Sequence, residues 1–488
     1  MIFSLSQRIR KHSLFKNVLA IMIGSSIFLV ASLGKNFVLA RNLEPAIFGA
    51  WSLGLVFIQY AQWSHLTYLN AFRLDGARNH GRGDHDKVNK LRQLTWTACM
   101  AGALIVSVST LLISPFLKDP GIRWAALMMA CMLVPFQLYN YIRVDLGIRE
   151  KFVGSSRMHS TFAILNAVLT LVLVIQFGFW GAVFAQAFSY LLILLIFRKW
   201  YSLFEVPSVD RKLAKEQLSI GLPIGLNGLV TTLFTTVDRT MVAGMLGLQA
   251  LGMYGLTGFA QSSLSLMPLA VSEVIYVRVS RQFGATKSEH SLVTIVMPIN
   301  RLLALFGAMV AGLVFVWTPF LVKAFLPAYM EGILALQIYV LGIIFMFPIQ
   351  PGSILLAIGR ATDLLMIYCA ATILEVILLP VGIKALGING AALANTTSNF
   401  VVFLAVNIVG LRRAKVNIVA VFVHLLECIA PVLAVTLVIG SWQILQRGIF
   451  VSMPSLISEA FLTILIGGVL LLTANKELLH LIRISKSL

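Results

Sequence analysis

The chain has 488 residues, of which 59% are hydrophobic and only 12% charged, with a mean hydropathy of +0.90. A soluble protein carries about 25% charged residues, roughly twice this supply, so a water-covered globular fold is excluded. The 38 Lys and Arg against 19 Asp and Glu leave a net charge of +19, yet these cations are scattered through apolar sequence rather than clustered on a polar face, which argues against nucleic acid as a partner. Four cysteines are too few for a disulfide framework. The composition is that of an all-α polytopic membrane protein.

A helix that crosses a bilayer needs about 20 mostly apolar residues. Fourteen runs meet that need, near 18–40, 46–72, 94–117, 122–144, 159–177, 181–197, 218–243, 251–276, 292–317, 333–358, 362–383, 388–411, 417–440 and 454–474. The first follows Arg8, Arg10, Lys11 and Lys16; it exceeds the 7–15 residues of a signal-peptide core, so it reads as a retained span. The fifth and sixth could be misread as one long kinked segment. Prolines at 135, 223, 268, 298, 348, 351, 380 and 431 interrupt several spans, which membrane helices tolerate where neighbours satisfy the freed carbonyls. Gly221-Leu-Pro-Ile-Gly225 is a candidate hinge, with a static kink as the alternative.

Loop charge sets orientation, because Lys and Arg are retained on the cytoplasmic side. With the N-terminus inside, 29 of the 38 basic residues fall on that side and seven outside, leaving Lys35 and Arg301 within spans. Both termini are therefore expected in the cytoplasm.

The end of the first span, Lys35 to Trp51, aligns with Asp238 to Tyr254 at an offset of 203, pairing Ala40 with Ala243, Leu43 with Leu246, Gly49 with Gly252 and Trp51 with Tyr254. Arg73 meets Arg278 at 205, and Gly178-Phe-Trp-Gly-Ala182 meets Gly387-Ile-Asn-Gly-Ala391 at 209. Six crossings return the chain to its starting side, so the halves are expected as parallel repeats flanking a midplane site. The expected division is 1–200 for the first lobe, 201–415 for the second, and 416–488 for a C-terminal helix pair.

Two six-helix lobes plus a pair, with Leu43-Glu-Pro-Ala-Ile-Phe-Gly49, Asp238-Arg239 and Leu246-Gly-Leu-Gln-Ala-Leu-Gly-Met-Tyr254, resemble the multidrug/oligosaccharidyl-lipid/polysaccharide (MOP) superfamily in its Wzx-type O-antigen flippase branch. The resemblance implies alternating-access movement of an undecaprenyl-diphosphate-linked oligosaccharide from the inner to the outer leaflet of the bacterial cytoplasmic (inner) membrane, with membrane lipids, a polysaccharide polymerase and chain-length proteins as partners. It implies no cofactor.

Charges inside the membrane are costly and usually face a cavity or a partner. Arg301 lies near the midplane and reads as a phosphate clamp, since guanidinium matches phosphate oxygens in pairs; an ion pair with Glu375 or another acid is the structural alternative. Glu375 is a candidate ion carrier or an ion-pair member. Lys35 and Asp238 hold equivalent positions in the two repeats and could close an outer gate, leaving Arg239 to attract the diphosphate; snorkelling is the plainer reading. Arg73 and Arg278 suit an anionic head at the inner mouth, or simple positive-inside anchoring. Glu273 is a further candidate for ion coupling. His65 and the pair His424/Glu427 could relay protons, but satisfied polar contacts explain them as well.

No phosphate-binding Gly-rich loop, His-Glu-x-x-His helix or paired Cys-x-x-Cys occurs. Cys99, Cys131, Cys369 and Cys428 all fall within spans, and His80 and His85 sit in a solvated basic loop. A membrane polymerase or glycosyltransferase would need larger extramembrane segments than these loops of about 20 residues. The remaining alternative is a multidrug or cation antiporter of the same superfamily, whose substrates would favour an acid-lined cavity.

Overall fold

The computed structural model describes Gly24 and residues 26–201, 204–208 and 210–448. The start of the first predicted span, the whole fourteenth (454–474) and the side chain of Glu273 lie outside the described residues. Among those described there are helices and no strands, and ten helices are long and apolar enough to cross a membrane. The chain forms two compact units, Met1–Thr232 and Leu233–Leu488.

In the first unit α1 spans 26–42 and α2 spans Pro45–Ala61, with Pro45 at the first helical position, where its missing N–H costs nothing. Two N-caps start the next pair. Asp84 accepts from the Lys87 amide at 2.9 Å ahead of α3, His85–Ile113, and Asp119 accepts from Gly121 and Ile122 ahead of α4, Pro120–Ile148. The helical segment Phe152–Ile196 breaks at Gly178 into α5 and α6. Tyr139, Tyr141, Phe162, Tyr190 and Ile193 anchor the core of this unit. The last helix of the unit, α7 (Arg211–Phe234), is held close to it by glycines: a Cβ on Gly221 would meet the Thr67 carbonyl at 2.7 Å, and one on Gly228 would strike Trp63.

The second unit opens with α8, Val237–Leu264, which breaks at Gly247 (φ 85°). It continues with α9 (Leu266–Thr286), α10 (Val293–Phe325), α11 (Ile333–Phe345), α12 (Pro351–Ala357), α13 (Ala361–Leu386), α14 (Ile388–Arg413) and α15 (Ile418–Gly448). Its buried centre gathers Phe403, Ile354, Val421 and Leu425 around Ala304 and Val296.

The expected repeat has a physical counterpart. Gly178 (φ 54°, ψ −129°) and Gly387 (φ 59°, ψ −135°) share one backbone conformation that a side chain disfavours. Three residues on, a Cβ at Gly181 would overlap the Leu173 carbonyl, and one at Gly390 the Gly382 carbonyl. Both motifs are therefore hairpins whose helix arms meet backbone to backbone, which separates the predicted fifth and sixth spans.

Four other predicted spans are interrupted. The second passes through a 3-10 turn at Gln62–His65 and positive φ at Leu66 and Thr67, then resumes as Tyr68–Ala71, a π turn at Phe72–Gly76 and Ala77–Arg82. The seventh breaks at Thr235–Thr236, beyond the suggested Gly221–Gly225 hinge, where the helix is continuous through Pro223. The eighth breaks at Ser265, and the tenth between Phe345 and Pro351, where Pro348 and Pro351 withhold donors from the helix.

Candidate functional site

The break at Thr235–Thr236 delivers Asp238 and Arg239 at the start of α8. Asp238 is fully buried, and its carboxylate accepts from the Arg239 amide at 2.7 Å and from the Tyr254 hydroxyl at 2.8 Å. The Arg239 side chain turns away, as expected for neighbours about 100° apart on a helix; it donates to Gln261, lies 3.4 Å from where a Cβ of Gly258 would stand, and sits beside Tyr339. Tyr254 meets Tyr339 edge to face at 6.0 Å.

Glu375 on α13 is fully buried and belongs to the same neighbourhood, close enough to interact electrostatically with Asp238. Its Oε1 accepts from Asn395 of α14 at 2.9 Å, and Asn395 in turn accepts from Asn399 at 2.9 Å. Its Oε2 is buried with no hydrogen-bond partner. A burial this complete normally demands a proton, a cation or a full set of donors.

Arg301 does not meet Glu375. Its guanidinium reaches Glu427 of α15 at 2.7 Å and also donates to His424 Nδ1 at 3.5 Å. The structure thus realises an ion pair for Arg301, with a partner the sequence placed beyond the repeat. His424 is fully buried and contacts Asn300, whose amide also donates to Asn407 at 2.9 Å. This network serves the break after α11: Asn407 donates to the Pro348 carbonyl, and Asn300 accepts from the Gln350 amide. In the first unit Gln137 plays that part by donating to the Gln62 carbonyl at 2.6 Å, and His65 Nδ1 accepts from the Thr67 amide. His65 is thus a satisfied polar residue at a helix break.

Lys35 donates to Gln186 of α6 at 3.3 Å and lies 5.8 Å from the centre of the Trp51 ring. Its described partners, like those of Asp238, belong to its own unit. Arg73 is exposed on the π turn and Arg278 is exposed on α9. His80 and His85 lie ring to ring at 6.0 Å, but no group of three metal-ligating residues occurs among the described residues.

Sequence reading missed Gln186, Tyr254, Asn395 and the Asn300–Asn407 pair. The available signal was amide residues at helical spacing in apolar spans, such as Asn395 and Asn399, which must find each other or a buried partner.

Two helical units with repeated hairpins and charged groups held inside apolar helices define the class: a multi-pass membrane protein with a MOP-transporter fold. The chain belongs to the polysaccharide biosynthesis protein family, whose model matches residues 14–276. Among solved structures it is similar to the lipid II flippase MurJ in an inward closed conformation (TM-score 0.73, 13% identity, covering 94% of this chain and 100% of that one). It is similar also to an inward-facing multidrug resistance MATE family transporter (0.70, 14%, 81% and 98%). A MOP superfamily transporter from Pyrococcus furiosus, described as having a binding pocket of reverse polarity, matches at 0.58 with 16% identity over 82% and 94%. No curated protein sequence matches the chain.

Proposed function

We propose that the protein is a flippase, not an enzyme, that carries an undecaprenyl-diphosphate-linked oligosaccharide, such as an O-antigen repeat unit, across the bacterial inner membrane by alternating access. The observation that carries this reading is Lys35, a cation within an apolar span whose described polar partner is the neutral Gln186 rather than an acid. Such a charge favours an anionic ligand, and family membership supplies the glycan context. Lys35 and Arg239 would engage the diphosphate, with Arg73 and Arg278 receiving it at the cytoplasmic mouth and Arg301 as a further candidate held by Glu427. A gate between Lys35 and Asp238 would require each to leave its present partner.

Glu375 and Asp238 would couple the cycle to an ion gradient, because the unpartnered Glu375 Oε2 is where a proton or cation would settle; Glu273 is a further carrier. Both termini would be cytoplasmic, and polymerase and chain-length proteins would act next. The same buried acids favour a second reading as a cation antiporter, in line with the fold shared with the multidrug transporter.

The deciding experiment reconstitutes the protein in liposomes with a labelled lipid-diphosphate oligosaccharide, with and without a proton gradient. Gradient-stimulated flipping that fails in Lys35→Met and Glu375→Gln supports the reading. Absence of flipping together with gradient-driven efflux of an organic cation would overturn it in favour of the antiporter.

A further inference from the structure

The first unit holds a second interior cation, Arg143, outside the set considered above. It lies within α4, five residues before Ile148, so about 7.5 Å from that helix end at 1.5 Å per residue. The expected topology places this end on the cytoplasmic face. Arg143 is only partly exposed, and its Nε is buried without a hydrogen-bond partner.

No carboxylate lies within ion-pair distance of Arg143 among the described residues, and the remaining residues of the first unit contain no Asp or Glu. The carboxylates nearby in sequence and fold are engaged elsewhere. Asp145 is paired with Arg149 at 2.8 Å and Arg92 at 3.8 Å, and Glu205 is paired with Arg92. What surrounds Arg143 instead is donors and rings. Its guanidinium lies 5.7 Å from the centre of the Tyr139 ring and hydrogen-bonds the Tyr139 oxygen, and the Tyr139 hydroxyl is 2.9 Å from His159 Nδ1. With Nδ1 taking the hydroxyl proton, His159 presents Nε2–H as a donor. Phe28 of α1 stacks on the His159 ring at 4.2 Å and closes that side.

A partly buried guanidinium that keeps N–H capacity beyond its bond to Tyr139, Nε included, beside an imidazole and with no counter-ion, is a receptor for an anion, because a desolvated charge is stable only when paired. The planar fork of Arg and its neighbouring N–H match phosphate oxygens better than a single point charge would. We propose that Arg143, His159 and Tyr139 form a phosphate-binding site in the first unit that takes the phosphate or diphosphate ester of a lipid on the cytoplasmic side. This deepens the flippase reading and rests on it for the identity of the lipid. From here the ring of Tyr139 leads to Tyr190 at 5.4 Å, one helical turn from Gln186, which holds Lys35. The site is thus the first of two cationic stations, with Lys35 the second.

The test is calorimetric titration of the full-length protein, in a zwitterionic detergent, with inorganic pyrophosphate. Arg143→Gln should weaken binding at least tenfold and Arg143→Lys less, because a charge without the fork remains. Tyr139→Phe should weaken it severalfold by releasing His159. Arg149→Gln, which lacks a place in the site, should bind as the unaltered protein does. Undiminished binding in Arg143→Gln with an unchanged melting temperature overturns the proposal; should that variant not fold, undiminished binding in both Arg143→Lys and Tyr139→Phe overturns it equally. Competition by nanodiscs of phosphatidylglycerol, but not by a polyprenyl diphosphate, would assign the site to bulk anionic lipid; the reverse would assign it to the transported lipid. Loss of binding in Arg143→Gln when the unaltered protein does not flip lipid diphosphate leaves the site standing and removes only the flippase reading. Normal binding in Arg143→Gln when the unaltered protein does flip does the opposite.

Discussion

The two units handle interior charge in opposite ways. In the first, Lys35 and Arg143 are cations whose described neighbours are an amide and aromatic rings, while the acids Asp145 and Glu205 are paired with other arginines. In the second, the acids Asp238 and Glu375 are fully buried and held by hydroxyl and amide donors, and Arg301 has its own carboxylate. Charges that are satisfied internally stabilise a fold, whereas charges left without counter-ions wait for a ligand. Under the proposed function the first unit would contribute Lys35 and Arg143 to anion recognition, joined by Arg239 of the second unit, whose buried acids would serve ion coupling.

The sharpest way to break that division is to remove one charge from each side. Asp238→Ala deletes the acceptor for Tyr254 and for the Arg239 amide, leaving a buried hydroxyl unsatisfied. Two hydrogen bonds to a charged group put the loss on the order of 3 kcal/mol, read as thermal or denaturant unfolding in detergent. Lys35→Met removes only a 3.3 Å bond to Gln186, so stability should hold or rise while transport is lost. A Lys35→Met variant as damaged in stability as Asp238→Ala would erase the contrast.

The repeat itself supplies the next pair. Gly178→Ala and Gly387→Ala place a Cβ on backbones of nearly the same φ and ψ, a conformation that costs about 2 kcal/mol for a side chain. Both should be destabilised, and to the same degree; unequal losses would show that the hairpins, though alike in backbone, are supported differently. Capping amides come third. Asn407→Ala orphans the Pro348 carbonyl and Gln137→Ala the Gln62 carbonyl, each costing about 1.5 kcal/mol where no water replaces the donor.

Much of this was legible from the chain. The spans, the hairpin glycines at 178 and 387 and the interior position of Lys35 follow from hydropathy, from the conformational demand on glycine and from the cost of burying charge. The break at Gln62–Thr67 was not, because neither Pro nor Gly marks it: Leu66 and Thr67 adopt positive φ in a run that reads as continuous helix, and the support comes from Gln137, over 70 residues away. Arg143 escaped notice for a related reason. It stands at the end of the predicted fourth span (122–144) and reads with Arg149, Lys151 and Arg157 as one of the basic residues of the inner face, whereas α4 runs on to Ile148 and carries it inside the unit. The partner of Arg301 was equally out of reach, since which acid a midplane arginine meets depends on helix packing that periodicity does not encode.

Arg301 is a residue able to blur the two-unit contrast, and the loss of stability expected from removing it is small. Its side chain is 27% exposed and that of Glu427 38%, so the pair is partly solvated and contributes no more than about 1 kcal/mol. Arg301→Met and Glu427→Met alone should each cost about that much, and the double variant should be close to neutral, because removing both partners leaves no orphaned charge. The double variant is the informative one for transport. If Arg301 serves only to fasten α10 to α15, the Arg301→Met/Glu427→Met protein should flip lipid diphosphate at the normal rate in proteoliposomes. If transport fails while the melting temperature holds, Arg301 binds the anion directly, and the second unit carries a further substrate cation as well as the coupling acids.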